Sequence, residues 1–371
     1  MEPDQTFDIF LAAPPGLEQI LLQEVREKGF ASPKQTPGGV TIIGGWPEVW
    51  RANLELRGAT RVLARIGSFR AFHLAQLDKR ARKFPWGDVL RPDVPVKVEV
   101  TCKKSKIYHA GAAAQRIERA ISEELGAQVS ADAAVRVMAR IDDNLCTFSV
   151  DTSGESLHKR GHKGAVGKAP IRETLAALFL RQAGYVGTEL VVDPMCGSGT
   201  FVIEAAEIAS GMVPGRSRSF AFEQLASFDA GAWNALKQTA GSNSCDLRFY
   251  GSDRDAGAIN SSQSNAEQAG VTHLTQFTQN AVSDLQPPDG PPGLVMINPP
   301  YGARIGNKKL LYALYASLGK TLIERFSGWR VGIVTSEAGL ARATGLPFNP
   351  PGPPVPNGGI KVKLYATNPL P

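Results

Sequence analysis

Over the first 150 residues, apolar positions recur at two spacings. Residues 8–12, 40–43, 94–101, 135–139 and 145–150 read as short strands, the last two joined by the turn Asp142-Asp143-Asn144. Gly16 to Lys28, with Leu17, Ile20, Leu21 and Val25 on one face, and residues 112–125 read as amphipathic helices. Residues 46–56 and 61–66 carry mixed patterns. The mixture predicts an α+β region. From Arg172 the pattern becomes a regular alternation: helix 173–182, strand 190–192, helix 201–210, strand 247–251 and helix 257–268. Strands 275–278 and 294–297, helix 310–326, strand 331–334, a proline-rich loop at 348–356 and a strand at 360–366 follow. Alternating strands and helices predict a doubly wound α/β domain with a mostly parallel sheet. The aromatic-rich stretch Met212 to Leu236 is extra to that alternation and is expected to be a helical insertion packed on this sheet.

A chain of 371 residues is long enough for two or three domains with separate cores. No apolar run reaches membrane-spanning length and the start, Met-Glu-Pro-Asp, is acidic, so neither a membrane span nor a secretion signal is expected. The four cysteines show no CxxC spacing, which disfavours a zinc site or a disulfide framework and fits reduced thiols in the cytoplasm. The net charge of +6 is unevenly spread: residues 1–50 carry 3 Lys/Arg against 7 Asp/Glu, residues 51–170 carry 22 against 13, and residues 171–371 carry 16 against 15. A block of +9 ahead of the α/β domain suits a polyanion, because neutralising phosphates releases counterions. The other reading is a solvated basic surface.

Two motifs carry the candidate chemistry. Val191-Val192-Asp193-Pro194-Met195-Cys196-Gly197-Ser198-Gly199-Thr200 reads as a buried strand that breaks at Pro194 into a glycine turn and runs on into an apolar helix, the order that cradles a nucleotide-like ligand. Later, the apolar run 294–297 ends in Asn298-Pro299-Pro300-Tyr301. A Gly-x-Gly turn is also compatible with a plain βα connection or with NAD. The dinucleotide fingerprint, however, wants a small residue where Val202 stands, and a carboxylate at Asp193 would repel a pyrophosphate. It suits a cation such as the ammonium of S-adenosylmethionine. Together the motifs point to methylation of an exocyclic base nitrogen by S-adenosylmethionine, without a metal.

Asn298 and the Pro299 carbonyl can accept the two N–H bonds of a base amine, in a turn that Pro299 and Pro300 stiffen. Tyr301 can stack on a flipped base; its alternative is a core aromatic. Gly197 and Gly199 permit close backbone approach to a ligand, and Pro194, Cys196, Ser198 and Thr200 line the same turn, Cys196 as a small residue rather than a nucleophile. Asp253, ending the second strand of the alternation, either accepts the ribose hydroxyls or caps the next helix, for which Asp255 is the better candidate. Thr174 is a candidate for the methionine carboxylate.

At these residues the chain resembles the THUMP-domain RNA methyltransferases, and among them the bacterial large-subunit ribosomal RNA guanine-N2 methyltransferases. The resemblance runs through Pro15-Gly16-Leu17-Glu18, Arg51 to Arg57, Ser105-Lys106-Ile107-Tyr108-His109, His158-Lys159-Arg160-Gly161-His162 and Arg172-Glu173-Thr174-Leu175. It continues in Asp193 to Thr200, Phe220-Ala221-Phe222-Glu223, Gly251-Ser252-Asp253 and Asn298 to Gly302. It implies a ferredoxin-like segment at 1–50, a THUMP RNA-binding domain at 51–156 and a Rossmann-like class I methyltransferase domain at 157–371. The implied reaction is methylation of a guanine N2 in 23S rRNA or its large-subunit precursor. A tRNA guanine-N2 enzyme and an N6-adenine enzyme on RNA or DNA are the alternatives. Lys103, Lys104, Lys106, Lys159 and Arg160 are the expected RNA contacts. Two positions depart from the family: Asn280 stands where an acidic residue recognises the adenine amine, and Arg254 where Ile is common, beside the adenine. An amide oxygen can accept the same hydrogen bond.

Overall fold

A computed structural model describes residues 6–161, 164, 171–241, 243–302 and 308–371. His162 and Lys163 of the basic stretch that begins at His158, and residues 165–170 after it, lie outside the described residues. The chain forms two compact units. The first takes in residues up to Ala13, Leu21–Leu157 and Gly215–Ala240; the second takes in Pro14–Ile20, His158–Pro214 and Gly241–Pro371.

Up to residue 151 the elements are β1 (Phe7–Ala12), α1 (Glu18–Glu27), β2 (Lys34–Thr36), β3 (Gly39–Gly44), α2 (Trp46–Glu55), β4 (Arg61–Arg70), α3 (Leu74–Arg82), β5 (Val96–Lys103), α4 (Ala110–Leu125), β6 (Val135–Asp142) and β7 (Leu145–Asp151). The strands share one sheet, ordered β2-β3-β1-β4-β7-β6-β5, so strands from before and after residue 50 belong to the same layer. Alternation decides which face is covered: Ile9 and Leu11, Val62 and Ala64, and Val137, Ala139 and Ile141 are buried, while Arg65, Arg136 and Arg140 face the other way. The mixed stretch 46–56 proves to be helix α2, with Pro47 in its first turn and Glu48 returning to the Gly45 amide (3.0 Å).

The aromatic insertion joins the first unit and not the unit that holds the parallel sheet, contrary to expectation. Residues 215–240, including α7 (Ala230–Thr239), belong to the first unit. Phe222 and Phe228 meet Trp50 of α2, with ring centroids 6.3 and 6.0 Å apart, and Arg218 donates to the carbonyls of Ser153, Glu155 and Ser156 just past β7.

The second unit is built from α5 (Glu173–Gln182), β8 (Val191–Asp193), α6 (Thr200–Ala209), β9 (Phe249–Asp253), α8 (Ala256–Ala269), β10 (Thr275–Gln279), β11 (Leu294–Ile297), α9 (Lys308–Arg325), β12 (Arg330–Thr335), α10 (Ala338–Ala343), β13 (Val355–Asn357) and β14 (Ile360–Ala366). Its sheet runs β10-β9-β8-β11-β12-β14-β13, parallel from β10 to β12 and antiparallel beyond. β8 and β11 are buried at every position, which is why they read as unbroken apolar runs rather than alternations. From β8 the chain winds outward to β9 and β10, then returns to β11 on the other side of β8. This reversal leaves a crevice at the C-terminal ends of β8 and β11, where open α/β sheets hold ligands.

Candidate functional site

The two motifs meet at that reversal. β8 ends in Asp193 and its neighbour β11 ends just before Asn298; β9, on the other side of β8, ends in Asp253. The glycine turn is tied down by its surroundings. Cys196 N donates to the Ser252 carbonyl (2.9 Å) and Gly197 N to Asp253 Oδ2 (3.1 Å). From α8, Ser262 Oγ donates to the Gly197 carbonyl (2.8 Å) and Asn265 Nδ2 to the Ser198 carbonyl (3.0 Å). Ser262 and Asn265 are fully buried, and sequence reading missed both: two polar residues three apart on a buried helix face are the signal that was there to find.

The two glycines have different reasons to be there. Gly197 has φ +53° and nothing within 4 Å of the position a Cβ would take, so its backbone faces open space where a ligand can lie. Gly199, at φ +80°, would put a Cβ 3.1 Å from Ser262 and 3.2 Å from Phe277, so both its backbone conformation and its close packing require a glycine. Cys196 is buried with its sulfur 3.6 Å from Ser262 Oγ, and burial pushes its thiol pKa up, which leaves it inert. Pro194 and Ser198 are buried in the turn, and Thr200 begins α6.

Asp193 is 2% exposed and accepts from Met195 N (3.1 Å). Burial raises its pKa to about 8, partly offset by that hydrogen bond and reinforced by Asp253. A carboxyl held this way gains most from a cationic partner. Asp253 is half-buried; its Oδ1 accepts from Asp255 N (3.0 Å). Asp255, not Asp253, caps α8, with its side chain accepting from Gly257 N (2.9 Å). Asn280 N donates to the Asp253 carbonyl (3.0 Å), which sets Asn280 beside it at the strand ends; Asn280 is among the residues that line a cavity of about 260 Å³, with Tyr250, Ser252 and Thr278. Arg254 is exposed, and Thr174 is buried in the first turn of α5.

Asn298 and Pro300 are half-buried and Pro299 is buried. Tyr301 is half-buried: its ring packs at the edge of the core formed by Val295, Ile297, Tyr315 and Ile333, and its phenol oxygen accepts from Asn357 Nδ2 (3.1 Å). Tyr315, fully buried on α9, holds the Pro300 carbonyl at 3.3 Å. Neither Asn357 nor Tyr315 was legible, because both reach the motif through tertiary packing.

In the first unit, Lys103, at the end of β5, and Lys104 and Lys106, on the loop between β5 and α4, are exposed. The β6–β7 turn fixes that loop: Lys106 N donates to Asn144 Oδ1 (2.9 Å), Asn144 N to Ser105 Oγ (3.0 Å) and Asp143 N to the Lys103 carbonyl (3.2 Å). Tyr108 beside it is 84% exposed. Lys159 is exposed in the second unit. Arg160 corrects the sequence expectation of an RNA contact. It is 1% exposed and paired with Glu204 of α6 (3.1 Å), itself 2% exposed, so its charge is spent inside the protein. Among the described residues no cluster of His, Cys, Asp and Glu could hold a metal, and no helix is long and apolar enough to cross a membrane.

Comparison with known proteins agrees with this geometry. Residues 160–347 match the family described as RMKL-like, methyltransferase domain, and residues 8–63 match the RlmL ferredoxin-like domain. A Synechocystis protein designated a candidate RNA methyltransferase is 32% identical over 94% of this chain and 93% of its own length. A ribosomal RNA large subunit methyltransferase K/L of Syntrophotalea carbinolica is 35% identical over 92% of this chain but 51% of its own, so the chain spans about half the length of that relative. The crystal structure of SMU.472, described as a candidate methyltransferase complexed with SAH, superposes with a TM-score of 0.89 at 26% identity, covering 99% of both chains. Carrying the Asp193–Thr200 turn and the Asn298–Tyr301 motif on adjacent strands of the matched region, the chain belongs to the RMKL-like methyltransferase family.

Proposed function

We propose that this protein transfers the methyl group of S-adenosylmethionine to the exocyclic N2 amine of a guanine in large-subunit ribosomal RNA. The observation that carries the reading is the placement of Asp193 and the Gly197 turn at the end of β8, with β9 and its Asp253 on one side of that strand and β11, which leads into Asn298, on the other. The site fits the cofactor: Gly197 leaves open space over its backbone, and the buried Asp193 carboxyl suits an ammonium. Asp193 would bind that ammonium, Thr174 the carboxylate at the same end, and Asp253 the ribose hydroxyls, each carboxylate oxygen keeping a lone pair beyond its backbone bond. Pro194, Cys196, Ser198 and Thr200 shape the turn, and Arg254 and Asn280 flank the adenine. When bound, the cofactor supplies an electrophilic methyl on a sulfonium.

The target amine is a poor nucleophile because its lone pair is delocalised into the ring. Asn298 Oδ1 and the Pro299 carbonyl accept its two N–H bonds and aim the lone pair, while Pro300 stiffens the turn and Tyr301 stacks on the extruded base. Tyr315 fixes the turn from behind through the Pro300 carbonyl. The rate comes from positioning and preorganised electrostatics. Lys103, Lys104, Lys106 and Lys159 bind phosphates, in keeping with the excess charge of residues 51–170 and the names of the relatives. The reading assigns the region after residue 50 to RNA binding of the THUMP kind and residues 157–371 to catalysis. Nucleoside mass spectrometry of ribosomal RNA from a strain lacking the gene tests it: loss of N2-methylguanosine from the large-subunit RNA is expected, and an unchanged nucleoside profile would contradict it.

A further inference from the structure

The hairpin of β13 and β14 reaches Tyr301 of the Asn298–Tyr301 motif. Its strands pair from Val355↔Val362 to Asn357↔Ile360, so the tip is Asn357-Gly358-Gly359-Ile360. Gly358 and Gly359 have φ +57° and +89°, the backbone a two-residue hairpin turn requires, and nothing lies within 4 Å of where their Cβ atoms would stand. Asn357, the last residue before the turn, donates from Nδ2 to the Tyr301 phenol oxygen at 3.1 Å.

The segment leading into the hairpin is itself braced. Gly16 sits at φ +96°, where a Cβ would approach Pro353 Cγ and the Pro354 carbonyl to 3.3 Å, so the Pro15-Gly16-Leu17 loop packs directly behind this segment. Tyr301 is thus gripped at both ends. Tyr315 holds the carbonyl of the preceding residue, and Asn357 holds the far end of the ring. Stacking needs only the face of a ring, and a phenylalanine supplies that. A half-buried hydroxyl with a fixed partner does something else: it sets the tilt of the ring before a base arrives.

We propose that Asn357 is a positioning residue for the target base, locking the Tyr301 ring through its phenol oxygen, with the open glycine tip forming the adjacent wall of the base site. This rests on the reading of Tyr301 as the stacking residue.

The test has two arms. Protein labelled with 3-fluorotyrosine gives a fluorine resonance for Tyr301, assigned by its loss in Tyr301→Phe; Asn357→Ala should shift that resonance and leave the other tyrosines in place. In single-turnover methylation of a 23S rRNA transcript, Asn357→Ala and Tyr301→Phe should each slow transfer about tenfold, the worth of one hydrogen bond, with cofactor affinity unchanged. The double variant should be no slower than either single one. Asn357→Asp should restore transfer to within about twofold, because the phenol O–H can donate to a carboxylate in the same place. An unmoved resonance in Asn357→Ala, or effects that multiply in the double variant, would overturn the proposal. A wild-type protein inactive on the transcript would overturn the underlying reading and the proposal with it.

Discussion

The amide of Gly197 donates to Asp253 Oδ2 over 3.1 Å, which joins the glycine turn after β8 to the carboxylate that ends β9. The second oxygen of Asp253 accepts from Asp255 N, so one side chain anchors the turn, ties down the residue that caps α8 and still offers a lone pair on each oxygen. Asp253→Ala removes all of this. By calorimetry, S-adenosylmethionine should bind roughly a hundredfold more weakly, the worth of two charge-assisted hydrogen bonds, with Asp253→Asn in between. Unchanged affinity in a folded Asp253→Ala protein would refute the ribose assignment.

Asp193 makes cofactor binding depend on pH. With its pKa raised to about 8, the carboxyl of the free protein is largely protonated at neutral pH. An ammonium beside it favours the carboxylate, so binding releases a proton, and affinity should strengthen several-fold per unit from about pH 6 to about pH 7.5. Calorimetry in buffers of different ionisation enthalpy should detect that proton, and Asp193→Asn should abolish both effects.

The same shift acts on stability. Between the ordinary value of 3.8 and about 8, the folded protein holds a proton that the unfolded chain has lost, so this group makes the fold less stable as pH rises through that window. Asp193→Asn should therefore melt higher than wild type at pH 8 while binding cofactor poorly. A lower melting temperature there would contradict the account.

Reversal of Lys103, Lys104 and Lys106 to Glu should weaken RNA binding and flatten its salt dependence by about two units of slope or more, since each lost phosphate contact removes close to one. Cofactor affinity should not move. RNA binding insensitive to salt in the wild-type protein would end this assignment. Arg160 belongs to a different class: Arg160→Met should cost about 3–5 kcal/mol in denaturant unfolding by leaving the Glu204 charge buried without its guanidinium. It should leave the salt slope unchanged.

What the sequence made legible follows from how each element is stabilised. β8 and β11 are buried on both faces, so their apolar runs and the motifs at their ends stand out. β2 and β13 did not: β2 is a polar edge strand, and Pro356 is tolerated in β13 because that strand lies at the sheet edge, where a missing N–H costs little. α3 is rich in Lys and Arg and buries only Leu77 and Ala81, too thin an apolar stripe to read as a helix. The insertion at 215–240 announced an aromatic cluster through Phe220, Phe222 and Trp233, but nothing local said which core it would join, and the partner is Trp50. Arg160 misled for a related reason. A basic run shows charge, while burial against Glu204 depends on α6 lying forty-four positions on.

The central claim is that Asn298 positions a guanine amine for methyl transfer. It is tested by single-turnover reaction of S-adenosylmethionine bearing a deuterated methyl with large-subunit ribosomal RNA, followed by mass spectrometry of the nucleosides, for the wild-type protein and Asn298→Ala side by side. The account predicts label in N2-methylguanosine with the wild-type protein, and a rate lower by a hundredfold or more, on the order of 3 kcal/mol of lost positioning, in an Asn298→Ala protein that still binds cofactor normally. Label in N6-methyladenosine instead, or an undiminished rate in Asn298→Ala, would contradict it.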